Sequence, residues 1–241
     1  MSGLLAVTVH TGWAHLRIQR ADKRNALNQA ARQALREALQ TLAGQAQAVV
    51  LTGSERWFCC GADLKERAQH VADGQPDTAG EEGIALAGAL REYPGVVIAA
   101  VNGLALGYGV NLVNCADLAL AADTAQLGLP ELRAGGYASM SAATSQLAGL
   151  GRKRLAWMVY GAEPIDAQTA LAWGLVNQVV PAHELDAHAE ALARRIAGFD
   201  AAALAETKAA LQQIPEATDW RLAMQAGQGV AARIRQRRAG A

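Results

Sequence analysis

Phe58 to Glu66 read FCCGADLKE, and they follow directly on the apolar run AVVLTG of Ala48 to Gly53. A run of β-branched and small apolar residues closed by a small-residue turn predicts a buried strand. The charged LKE that comes next predicts a helix start. The same design returns at Asn102 to Leu112, NGLALGYGVNL, after VVIAAV. In a strand-to-helix turn of this kind the first helical amides have no intrahelical acceptor and point outward at the positive end of the helix dipole. Such amides bind an anion or a developing oxyanion. Glycine at 61, 107 and 109 permits backbone angles closed to other residues and lets a ligand come close. Taken singly, either turn is equally well a plain tight turn; together, on adjacent strands, they could aim two N–H groups at one carbonyl oxygen.

Outward from these turns the chain alternates. Leu4 to Val9 and Trp13 to Ile18 predict a hairpin across HTG. Asn25 precedes a helical pattern of Leu27, Ala31, Ala34, Leu35, Ala38, Leu39 and Leu42, closed by Gly44. Strands are expected at Ala48 to Thr52, Val96 to Val101 and Asp117 to Ala121, with His70 to Gly83 as a polar, mobile excursion and a helix ending near Tyr93. From Ala138 the composition turns Ala-rich and helical, broken by the strand-like LVNQVVP (Leu175 to Pro181). His183 to Gly198, Ala201 to Ile214 and Ala217 to Arg235 read as three helices. Alternating strands and helices followed by helices alone predict an α/β core with a helical C-terminal appendage.

The 241 residues are 51% hydrophobic and 18% charged, and 22 Lys and Arg balance 22 Asp and Glu. A neutral chain has no electrostatic footprint for nucleic acid or an acidic membrane surface. The basic RIRQRR at Arg233 to Arg238 reads as a solvated helix face or a frayed tail. Three cysteines, Cys59, Cys60 and Cys115, make neither a disulfide framework nor a CxxC metal site and fit a reducing compartment. No basic n-region or apolar run of about 18 residues is present. A soluble cytoplasmic protein without nucleic-acid or membrane partners and without a metal is expected.

RADKRNALN (Arg20 to Asn28), VVLTGSERWFCCGADLKE (Val49 to Glu66), AAVNGLALGYGVNLVNCADLALAA (Ala99 to Ala122), AQLGLPEL (Ala125 to Leu132) and the LVNQVVP region resemble the enoyl-CoA hydratase/isomerase, or crotonase, superfamily, in order and at family spacing from about Trp13 to Pro181. The resemblance implies a spiral of ββα units over 1–182 and, over 183–241, a C-terminal helical region that builds homotrimers, often paired into hexamers. It implies an acyl-CoA thioester substrate and no separate cofactor, CoA being part of the substrate.

Residue by residue, the resemblance places two oxyanion-hole amides at Ala62 and Tyr108, the latter beside Gly107. It places Lys23, Arg24, Ala26 and Leu27 at the nucleotide end of CoA, although the two cations could also be a pair of solvated surface charges. Cys60, Ala62, Asp63 and Leu64 border the adenine and pantetheine channel, Cys60 as a small wall residue and not a nucleophile. Hydratases of the family use two glutamates around a water. Here the later PE step is intact at Pro130 and Glu131, but the first position is Asn111. An amide holds a water or a carbonyl and exchanges no proton at neutral pH. Glu131 is therefore the candidate single acid/base, with a raised pKa if Leu127, Leu129 and Leu132 surround it. Tyr108 replaces a usual glycine, so its phenol either narrows the pocket or supplies a donor. Tyr137, in GGYASMSAA (Gly135 to Ala143), enters the acyl pocket or packs in the core. Isomerase or atypical hydratase chemistry is expected. The alternatives are a catalytically impaired CoA-ester binder or assembly subunit, or a crotonase-type thioester hydrolase or decarboxylase.

Overall fold

The computed structural model describes residues 3–213 together with Arg233 and Gln236. The predicted helix Ala217 to Arg235 and the basic run after it lie, apart from those two residues, outside the described part. A hairpin of β1 (Leu5–His10) and β2 (Trp13–Ile18) is followed by α1 (Gln29–Leu42), β3 (Ala48–Thr52) and β4 (Trp57–Cys59). Helices α2 (Leu64–Ala72) and α3 (Ala79–Arg91) precede β5 (Val96–Val101), β6 (Leu104–Leu106), α4 (Tyr108–Cys115) and β7 (Leu118–Ala122). Then come β8 (Gln126–Gly128), a 3₁₀ turn at Pro130–Ala134, α5 (Ser139–Leu147), α6 (Arg152–Gly161), β9 (Ile165–Asp166), α7 (Ala167–Trp173), β10 (Gln178–Val180), α8 (Leu185–Ala197) and α9 (Ala201–Gln213).

Two sheets result. The larger runs β1-β2-β3-β5-β7-β10 and is parallel except at the hairpin, and the smaller runs β4-β6-β8-β9. All five residues of β3 are buried, as are the last five of β5, which is what a continuous apolar run in a parallel sheet requires. Leu185, Ala189, Ala193 and Ile196 of α8 cover the large sheet over β3, β5 and β7. The pairs β3/β4, β5/β6 and β7/β8 each send one strand to the large sheet and the next to the small one, after which a helix or helical turn begins. This is the repeating ββα unit, and it puts three chain reversals at one edge.

Local chemistry explains the helix starts. Asn28 caps α1 by accepting from Ala31 N at 3.0 Å, and Asp63 caps α2 by accepting from Lys65 N and Glu66 N. Asn25 does not start the helix. It is fully buried with φ 54°, and its side chain donates to Trp57 O at 2.6 Å and accepts from Arg20 N at 2.9 Å. The expected mobile excursion at His70 to Gly83 is also corrected: α2 continues to Ala72 and α3 begins at Ala79, leaving only residues 73–78 irregular. The reason is tertiary. Glu82, in the first turn of α3, is held by the buried Arg32 of α1 at 2.7 Å and by Thr78 Oγ1 at 2.9 Å.

At the other end, Lys208 of α9 is buried and donates to Leu90 O, Gly95 O and Asp117 Oδ2, the last at 2.8 Å. Asp117 also accepts from Val97 N at 2.8 Å. Burial pushes the Asp117 carboxyl up and the Lys208 ammonium down, and the contact between them opposes both shifts. Removing one partner strands the other charge and two carbonyls. Lys208→Met is expected to lower unfolding free energy by about 3–5 kcal/mol, read from the urea midpoint. No helix among the described residues is long and apolar enough to cross a membrane.

Candidate active site

Strands β4, β6 and β8 are neighbours and parallel, so their C-terminal ends share one edge of the small sheet, about 4.8 Å apart. The segments leaving those ends are Gly61-Ala62, Gly107-Tyr108 and Leu129-Pro130-Glu131. The topology thus brings together the three positions that the sequence placed far apart. Ligands of parallel sheets bind at this end because loops and helix N-termini converge there.

The direction of the Ala62 amide follows from a pairing with a much earlier segment. Leu27 N donates to Gly61 O at 2.8 Å and Asp63 N donates to Leu27 O at 3.1 Å, an isolated parallel bridge between Leu27 and Ala62. Residues on an extended strand alternate the side to which they bond. Gly61 and Asp63 bond toward Leu27, so the Ala62 N–H turns the other way, and it donates to no acceptor among the described residues. The second turn is close by: a methyl group placed on Gly61, which has φ +95°, would sit 3.3 Å from Leu106 O and 3.7 Å from the Tyr108 nitrogen.

Gly107 has φ +52° and ψ −114°, a conformation for glycine, and it opens α4. Its N–H donates to Gly128 O at 2.9 Å, and its carbonyl accepts from Val110 N, Asn111 N and Ser141 Oγ, the last at 2.7 Å. The peptide units on both sides of Gly107 are therefore held. Tyr108 N, the first amide of the helix, has no acceptor among the described residues. Gly109 packs directly on β4, where a methyl group on it would fall well inside 3.0 Å of the Cys59 carbonyl oxygen.

The Tyr108 side chain faces away from this amide. Its ring is buried and its hydroxyl donates to Gly83 O of α3. Burial pushes the phenol's pKa up, against a smaller opposing effect of Asn111 beside it. Of the two expectations for the phenol, donation to a ligand is not what this structure holds, since its proton is committed to Gly83. Tyr108→Phe should cost about 1 kcal/mol of stability and leave turnover within a few-fold, because the backbone donor stays; thermal melting and steady-state rates on the same samples check both.

Glu131 follows Pro130 in the 3₁₀ turn. A methyl group on Gly107 would lie 2.7 Å from its Oε1, so the carboxylate stands directly over the second turn. Its Oε2 is buried without a hydrogen-bond partner among the described residues, and burial pushes its pKa up. Leu127 and Leu129 are buried, but Leu132 is 44% exposed and does not surround the carboxylate as expected. Asn111 is fully buried between α4 and α5, its Oδ1 accepts from Thr144 Oγ1 at 2.9 Å, and its Nδ2 has no hydrogen-bond partner among the described residues. Tyr137 is 68% exposed and cannot pack in the core; Ala138 takes the buried position beside it.

Around the first turn, Lys23 and Arg24 are exposed and Ala26 is half-buried, while Leu27 is wholly used by the bridge to Ala62. Arg24 has φ 53° and lies 5.5 Å over the Trp57 ring, with Arg56 4.8 Å from the same ring. Cys60 is half-buried and burial pushes its thiol up to about 11, so it stays protonated at neutral pH. Leu64 is exposed, whereas Asp63 is engaged inside the protein by Arg20 at 3.0 Å. Arg20, Ser141 and Thr144 are contributors that the sequence reading passed over. Arg20 stood in the quoted RADKRNALN, but nothing local in that stretch points to Asp63. No cluster of three or more His, Cys, Asp or Glu suited to a metal exists among the described residues.

Comparisons with known proteins show the family and the fold. The profile of the enoyl-CoA hydratase/isomerase family matches residues 8–232. The chain is 34% identical over 215 residues to 2,3-dehydroadipyl-CoA hydratase of Escherichia coli, covering 88% of this chain and 81% of that protein. It is 35% identical over 202 residues to a Rhodobacter capsulatus protein named "Probable enoyl-CoA hydratase", covering 84% and 78%. A crystal structure of an enoyl-CoA hydratase/isomerase family protein from Silicibacter pomeroyi superposes with a TM-score of 0.87 at 30% identity, covering 95% of this chain and 99% of that one.

Proposed function

The chain belongs to the enoyl-CoA hydratase/isomerase family, and from that premise we propose that it moves a double bond in an acyl-CoA thioester with a single carboxylate as acid and base. The Ala62 and Tyr108 amides receive the thioester oxygen, and Glu131 handles the proton. In a 3-enoyl thioester Glu131 takes a proton from C2, the electrons of that C–H bond delocalise into a dienolate whose oxygen the two amides stabilise, and the proton returns at C4 to give the 2-enoyl ester. Preorganised donors at a developing oxyanion are worth about 3–4 kcal/mol each in comparable sites.

The observation that carries this reading is the buried Oε2 of Glu131, over the Gly107 turn, which like the Ala62 and Tyr108 amides has no hydrogen-bond partner among the described residues. The preference for isomerisation over hydration rests on Asn111, whose amide cannot transfer a proton and whose oxygen is already occupied by Thr144. We further propose that Lys23, Arg24, Ala26, Cys60, Asp63 and Leu64 border the CoA moiety, that no separate cofactor takes part, that 183–241 assembles a homotrimer or hexamer, and that the enzyme works in the cytoplasm.

A second reading follows from Asn111 alone: a chain that binds CoA esters without turnover. Incubating the protein in deuterated buffer with 2-enoyl and 3-enoyl thioesters separates the two. Isomerisation incorporates deuterium and interconverts the esters; binding without incorporation supports the second reading and overturns the first. The pH profile gives an independent check. Glu131 must start ionised, and burial raises its pKa above the ordinary 4.5. The exchange rate is therefore expected to fall with decreasing pH through a single step that lies above 4.5 and to vanish as a step in Glu131→Gln.

A further inference from the structure

Arg20 is 8% exposed, and its guanidinium joins two backbone segments at the site. Nη1 donates to the Ala26 carbonyl and Nη2 donates to Asp63 Oδ2 at 3.0 Å. The other oxygen of Asp63 accepts from Lys65 N and Glu66 N at 3.2 and 3.3 Å. Arg20 is also tied by its backbone: its N–H donates to Asn25 Oδ1 at 2.9 Å, and its carbonyl accepts from Asn25 N at 2.8 Å. Residues 20–27 are thus a closed loop whose far end, Leu27, forms the bridge that turns the Ala62 N–H away from Leu27.

We propose that Arg20 and Asp63 act as a positioning pair for the Ala62 amide, clamping the 26–27 segment to Asp63 so that Leu27 holds the Gly61–Ala62 peptide that presents it. This rests on the reading of Ala62 as one of the two donors to the thioester carbonyl. Asp63 is bonded at both carboxylate oxygens, one residue from that amide, and the ion pair is shielded, with side-chain exposures of 9% and 14%. A shift of Leu27 away from Ala62, which would free the Gly61–Ala62 peptide to turn, therefore strains the guanidinium contacts to Ala26 O and Asp63. Burial acts to raise the Asp63 pKa, and Arg20 with the two helix amides outweighs it, holding the carboxyl below its ordinary range so that the pair stays charged at working pH. A fork is needed here, since one group must reach both Ala26 O and Asp63; lysine carries the charge but not the geometry.

Asp63→Asn is the informative variant, because the amide oxygen still caps α2 and the shape is kept. The readouts are kcat and KM for deuterium exchange, the carbonyl stretching frequency of a bound acyl-CoA, and the melting temperature. The pair predicts that kcat falls by about 10- to 100-fold, the loss expected for a donor displaced by up to 1 Å, with KM within about 3-fold. The bound carbonyl stretch should move back toward its value in free acyl-CoA. Arg20→Lys should do the same, and the double variant should be no worse than either single one, as for two residues acting as one unit. A raised KM with unchanged kcat would confine Asp63 to bordering the CoA moiety, with no part in aiming the amide, and a lowered melting temperature with unchanged kcat and carbonyl frequency would make the pair merely structural; either result overturns the proposal. If the wild-type carbonyl is not shifted on binding, the reading of the site itself falls and this inference with it. A shifted wild-type carbonyl that Asp63→Asn leaves in place sinks the positioning role alone.

Discussion

Glu131→Gln is expected to slow deuterium incorporation at the carbon next to the thioester by about 10²- to 10⁴-fold, the range for loss of a positioned general base, while acyl-CoA still binds. The glutamine keeps the volume over Gly107 and can no longer accept the proton. The two amides remain, so the carbonyl stretch of a bound ester should stay shifted. Stability should move the other way. A folded-state pKa raised above 4.5 means that the neutral carboxyl is the form the fold favours. That contribution is fully present below the unfolded pKa and is lost as pH rises through the folded one. Glutamine is neutral throughout, so the variant should melt no lower than the parent at pH 8. Unchanged exchange in Glu131→Gln would remove Glu131 from the mechanism.

Gly109→Ala is expected to be the most damaging single methyl group in the site. Its new Cβ meets the backbone oxygen of Cys59, on the strand that leads to Ala62, and no side chain stands between them to give way. Overpacking of ordinary cores costs about 1–3 kcal/mol; with backbone on both sides, a loss of at least about 4 kcal/mol is expected, in the class reserved for severe core disruption. Whatever folded protein remains should lose activity by at least about 10²-fold, because α4 must lift off β4 and carry the Tyr108 amide with it. Gly88→Ala is the control: it lies on α3, and an added methyl group there comes no nearer than 3.8 Å to the end of the Glu92 side chain. Equal circular-dichroism melts for the two variants would contradict the packing argument.

Much of the site was legible because turn chemistry is local. Gly61 and Gly107, the small residues around them and the PE step each declare a backbone shape through their immediate neighbours. The α/β class was equally plain, since buried parallel strands read as unbroken apolar runs such as Ala48–Thr52. Where the reading slipped, the deciding contact came from elsewhere in the chain. Residues 70–72 and 79–83 looked polar enough for a loop, yet Arg32, 50 residues away from Glu82, gives α3 a buried ion pair. Tyr137 looked like a core aromatic, but the turn after Glu131 puts Ala138 inward and the ring outside.

By itself the sequence determined the strands of the large sheet, where the chain must turn with glycine, and which chemical groups are present to work on a thioester: backbone donors, one carboxylate at Glu131 and an amide at Asn111. Only the tertiary structure decided that β4, β6 and β8 form and end side by side, that the bridge to Leu27 turns the Ala62 N–H away from Leu27, and that Asp63 belongs to Arg20, 43 residues earlier. The physical reason is that φ, ψ and capping preferences are set by atoms a few bonds away, whereas the direction of an amide or the partner of a charge is set by which surfaces are buried against each other.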